Sequence, residues 1–135
     1  MTATAATRDT ASGIAFGRVA VAATAAVAAD LLLLWAGTAA GASLKIDAPY
    51  DLNAAVVVLG TAVPMLAGAA VTWLLTRRHP GRVSWFGWAG LVVALLSAPM
   101  PFVVSADTAT AVTLALMHVV VGVAWLVALR RRNQN

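Results

Sequence analysis

Two ionisable side chains stand deep inside apolar stretches of this 135-residue sequence, Asp30 and His118. Asp30 follows Arg18 by twelve residues and His118 precedes Arg130 by twelve. On helices rising about 1.5 Å per residue, each is therefore about 18 Å from its arginine, at a shared level. A histidine beside a carboxylate can exchange protons, because imidazole changes charge between about pH 5 and 8. A charge at mid-membrane costs roughly 2.5–3.5 kcal/mol on insertion scales, so both groups should turn inward toward a polar partner. Helical spacing groups Asp30 with Ala23, Ala26 and Gly37, and His118 with Ala111, Ala115 and Gly122. Small residues mark close helix packing in membranes. Three readings stay open: a polar clamp between the first and fourth helices, a protonation-linked pair, or two groups that never meet.

Little else in the sequence could do chemistry. The absence of cysteine removes thiolate metal sites, disulfides and dithiol redox chemistry. Glutamate is absent and the five aspartates are scattered, so no metal site is expected. His79, the other histidine, falls in a loop, so one chain cannot hold haem between two buried histidines. Ser97, Ser105 and the threonines lack a nearby base. No catalytic residue and no cofactor are expected.

These residues sit in a chain that is 61% hydrophobic and 10% charged. Soluble domains average roughly 45–50% and 25%, so a bilayer is the expected solvent. Four stretches reach the roughly 20 apolar residues that a membrane crossing needs: 19–41, 54–76, 83–106 and 108–129. Short connectors make neighbouring spans antiparallel. The fold expected is all-α, a polytopic antiparallel bundle of four transmembrane helices over residues 14–132. Residues 1–13 read as a disordered tail and 133–135 as a short C-terminal one. Pro99 and Pro101 should end or kink the third helix, and Pro64 should free a carbonyl in the second. Gly37, Gly41, Gly60, Gly68 and Gly122 are candidate close-packing positions. Ser84 is a plausible cap for the third helix, and Ser105 or Asp107 for the fourth. The first span could instead be a signal peptide with Ala40, Gly41 and Ala42 at its cleavage site, but it exceeds the usual 7–15-residue apolar region.

Basic residues gather at cytoplasmic span ends. Arg8, Arg18, Arg77, Arg78, Arg82, Arg130, Arg131 and Arg132 share one face, and only Lys45 lies on the other. This bias places both termini in the cytoplasm. Trp73, Trp85, Trp88 and Trp125 fall near the arginine-rich ends, where indoles anchor at the headgroups. The net charge of +4 is dispersed between spans, so the partner expected is the lipid bilayer and not nucleic acid.

The run Ala115, Leu116, Met117, His118, Val119, Val120, Val121, Gly122 resembles an actinobacterial family of small four-helix membrane proteins. So does Val63, Pro64, Met65, Leu66, Ala67, Gly68 leading to Arg77 and Arg78. The resemblance covers roughly residues 15–132. It implies membership of a family with no assigned function, sometimes labelled a cell-envelope biogenesis protein, and carries over no site residue; the location expected is the plasma membrane. It also implies that an amide often stands at the position of Asp30. The function expected is a non-enzymatic accessory or interaction protein, working as a homo-oligomer or with a membrane-protein partner. The alternative is a small proton-coupled transporter using Asp30 and His118. Its layout is similar to that of the small multidrug exporters, whose charge bias is weak where this chain's is strong.

Overall fold

The computed structural model describes residues 14–130; the expected tails, with Arg8, Arg131 and Arg132, lie outside them. Four apolar rods make up the chain. The helices are α1 (Phe16–Ala39), α2 (Ala54–Thr76), α3 (Val83–Ser97), α4 (Pro101–Val104) and α5 (Thr108–Leu129), with a 3-10 turn at Pro80–Arg82. Each of α1, α2, α5 and the composite stretch Pro80–Val104 is long and apolar enough to cross a membrane. At about 1.5 Å per residue the continuous rods measure roughly 33–36 Å, which spans a hydrocarbon core of about 30 Å. The protein is a multi-pass membrane protein built as a four-helix bundle.

Helix ends follow local chemistry. Asn53 accepts the amide of Val56 at 3.1 Å and starts α2. Asp107 accepts the amide of Thr110 at 2.8 Å and starts α5, so Asp107 and not Ser105 is the cap. Ser84 caps nothing, because the 3-10 turn after Pro80 feeds directly into α3 at Val83. The first helix begins at Phe16, earlier than its hydropathy suggests, and takes in Arg18. The Arg18 guanidinium donates to the Val127 carbonyl at 2.7 Å, a cation on the carbonyl end of α5. Gly41 ends α1 as a left-handed cap at φ 91°. The Ala42 amide reaches back to Gly37 at 2.9 Å and that of Gly41 to Thr38 at 3.0 Å. The expected close-packing role at Gly41 is therefore corrected: a side chain there would meet nothing within 4 Å. The third span, expected over 83–106 with an end or kink at Pro99 and Pro101, stops at Ser97 and restarts at Pro101. Pro99 and Pro101 supply no amide to the turn before them, which accounts for the break.

The connector after α1 is stitched to the one before α5. The Asp47 amide donates to Val104 at 2.8 Å and the Ala106 amide to Lys45 at 3.0 Å. Leu44, at φ 57°, donates its amide to the Thr110 hydroxyl at 3.0 Å. Asp107 gathers the Ser43 hydroxyl, the Ser43 amide and the Thr110 hydroxyl on one oxygen.

The buried stripe of α1 is Val19, Ala23, Ala26, Asp30 and Gly37, a three-to-four-residue spacing of mainly small side chains. It lets α1 pack closely against both α2 and α5, while α5 also packs against α3 and α4. Helix α5 is the most enclosed span and the third is the least. Helices α2 and α3 meet only weakly. The bundle is thus a curved row, α2–α1–α5–α3, with a gap between its two ends.

Candidate functional site

The gap is a lateral cleft of about 780 Å³ between α2 and α3, floored by α5 and reached by one residue of α1, Asp30. Its walls are overwhelmingly apolar, with Val57, Met65, Val71, Phe86, Val93 and Leu114 among them. Near the arginine-rich ends of the helices it is narrowed by Trp125, whose indole Nε1 donates to the Phe86 carbonyl at 2.9 Å. Two glycines make room for that ring. A Cβ at Gly68 would stand 3.1 Å from it, and one at Gly90 would collide with it. Trp125 is 9% exposed, so the expectation of a headgroup anchor is corrected: it wedges α5 against α2 and α3. Trp73, Trp85 and Trp88 are exposed, as Trp35 is.

Asp30 is among the residues that line the cleft and is fully buried at 0% exposure. Its Oδ2 accepts the Thr61 hydroxyl of α2 at 2.6 Å. Its Oδ1 is buried and has no partner. His118 lines the same cleft from α5. Its Nδ1 donates to the Leu114 carbonyl at 2.8 Å, one turn back along its own helix. The imidazole lies within electrostatic reach of the carboxylate, but no hydrogen bond joins the two side chains. The direct tie from Asp30 runs to α2 through Thr61, not to α5 as a clamp between the first and fourth helices requires.

The other sequence candidates fall in different places. Pro64 lies inside α2 without ending it and borders the cleft. Gly60 also borders the cleft, and a Cβ there would meet nothing within 4 Å, which corrects the close-packing expectation for it. At Gly37 a Cβ would collide with Thr113 of α5, and at Gly122 it would lie 2.7 Å from Ala94 of α3. Pro101 opens α4 and lines the outer end of the cleft. Arg18 holds α5, while Arg77, Arg78, Arg82 and Arg130 stand at rod ends. Thr61 is the residue that sequence reasoning did not single out as a partner; the available signal was its place on the α2 stripe Val57, Thr61, Met65, Ala69. No group of three metal-ligating side chains occurs among the described residues.

A family model described as a family of unknown function (DUF6069) matches residues 10–135. No curated protein and no solved structure matches the chain.

Proposed function

The chain belongs to that family of unknown function, and we propose, from the site alone, that it is a non-enzymatic accessory protein of the cell envelope that holds a membrane-embedded partner in the cleft between α2 and α3. The observation that carries this reading is the open side of the bundle, an apolar slot lined in part by Asp30, one of whose carboxyl oxygens is buried without a partner among the described residues. Ligand sites are typically concave, mostly apolar and about 300–1,000 Å³, with a few placed polar groups. The arginine distribution and the resemblance to an actinobacterial family support a plasma-membrane location with both termini cytoplasmic.

A photo-crosslinking residue at Val93, which lines the cleft, tests the reading against one at Leu96, which does not. Irradiation of intact cells should give a discrete adduct from Val93 alone; matching adducts at both positions, or none, would count against it. The orientation is tested by single cysteines in this cysteine-free chain. Lys45→Cys should react with an impermeant maleimide on whole cells, and Arg78→Cys only after permeabilisation.

A second reading, proton-coupled transport by an oligomer, is favoured by Asp30 and His118 lining one cleft. It requires that proteoliposomes move protons with a substrate and that Asp30→Asn stops the flux. The accessory reading expects neither.

A further inference from the structure

Asp30 is enclosed yet half satisfied. Thr61 serves Oδ2, and none of the described residues serves Oδ1. A buried acceptor left without a donor costs its desolvation, so the bond is one that a molecule outside the chain can complete. Tyr50 and Thr72 also line the cleft, and each carries a hydroxyl that both donates and accepts. The Thr61 hydroxyl is spent on Asp30. His118 commits Nδ1 as a donor to Leu114. Pro64 has no N–H, so the Gly60 carbonyl loses its helical amide, and Gly60 borders the same space.

Among the described residues, no lysine or arginine reaches Asp30. Arg77, Arg78, Arg82 and Arg130 stand at rod ends, Arg18 is engaged with Val127, and neither a lysine nor an arginine is among the residues lining the cleft. An apolar slot open sideways between two helices, with a carboxyl group among its lining residues that lacks one partner, complements a donor-bearing, positively charged head on an apolar chain. We propose that the cleft binds a single-chain lipophilic amine, its ammonium donating to Asp30 Oδ1 and its hydrocarbon lying along α2 and α3 between Trp125 and Met100. The inference rests on the cleft being the working surface and names what the surface holds.

The test is equilibrium binding of radiolabelled dodecylamine to the full chain in nanodiscs of neutral lipid, corrected for uptake by empty discs. Dodecanol and dodecanoate are the comparisons. The expected result is saturable binding of one amine per chain, at least tenfold tighter than the alcohol, with no saturable binding of the carboxylate. Asp30→Asn keeps an acceptor for Thr61 and should weaken amine binding at least tenfold while the melting temperature holds. Gly60→Leu fills the cleft where a side chain meets no neighbour and should abolish binding. Equal binding of amine and alcohol, or an Asp30→Asn protein that binds as the wild type does, overturns the inference. If the wild type binds no amine but Gly60→Leu abolishes the Val93 adduct, the amine is wrong and the cleft stands. If Gly60→Leu instead dissociates an oligomer, the occupant is a second copy and the inference is likewise overturned. Saturable amine binding that Gly60→Leu leaves intact would remove the cleft as the site.

Discussion

At the scale of single residues, the carboxylate of Asp30 is held by one hydroxyl. Removing that hydroxyl leaves both oxygens unsatisfied inside the bundle, whereas turning the carboxylate into an amide keeps an acceptor for it. Thr61→Val should therefore lower stability by about 0.5–2 kcal/mol, the range for interhelical hydrogen bonds in membranes, and Asp30→Asn should leave it nearly unchanged. Reversible unfolding in mixed micelles measures both, and a larger loss for Asp30→Asn would contradict the assignment. Asp30 was legible in the sequence because a carboxylate in an apolar run costs too much to be incidental. Its partner was not. A threonine satisfies its own hydroxyl on the preceding turn in most helices, as Thr24, Thr38 and Thr76 do here, so nothing in its type separates Thr61 from them. His118 was equally visible, but its backbone bond to Leu114 depends on a rotamer that spacing does not encode.

At the scale of elements, span limits were legible where hydropathy changes sharply, as at 54–76 and 108–129, and the prolines marked the break in the third rod. Which glycines face a neighbour was not, since that depends on the rotation of each helix in the finished bundle. Gly60→Ala should be neutral or raise stability by up to about 1 kcal/mol, because alanine is the better helix former and the new methyl group meets nothing. Gly122→Val pushes into Ala94 and Leu91 of α3 and should cost about 1–3 kcal/mol. Similar melting shifts for the two variants would contradict the packing. The outer loops give a pH-dependent prediction. The Ser43 hydroxyl, followed by the amide and hydroxyl of Thr110, holds the Asp107 carboxyl well below the usual carboxylate range. A carboxyl depressed in the folded state stabilises it above the unfolded value of about 3.9, and that contribution is lost as pH falls through and below that value. Asp107→Asn should thus melt below the wild type at pH 7, with the gap narrowing below about pH 4. A gap that stays constant down to acid pH would show that charge has no part in holding the loop.

At the scale of the molecule, the arrangement of four rods followed from composition, yet the open side did not. Every span is apolar around most of its circumference, so periodicity cannot tell a face that meets another helix from one that meets lipid. The gap arises from particular neighbours: small residues on α1 let α2 and α5 pack closely against it, while the Trp125 ring stands between Gly68 of α2 and Gly90 of α3. The most direct test of a working cleft is the electron paramagnetic resonance spectrum of a nitroxide on Val93→Cys, with Leu96→Cys as the lipid-facing reference. If the cleft holds a partner, the Val93 label is immobilised in native membranes and becomes mobile after purification into defined lipid, while the Leu96 label is mobile in both. A Val93 label equally mobile in both settings would mean the cleft is filled by lipid alone, and the proposed role would fall with it.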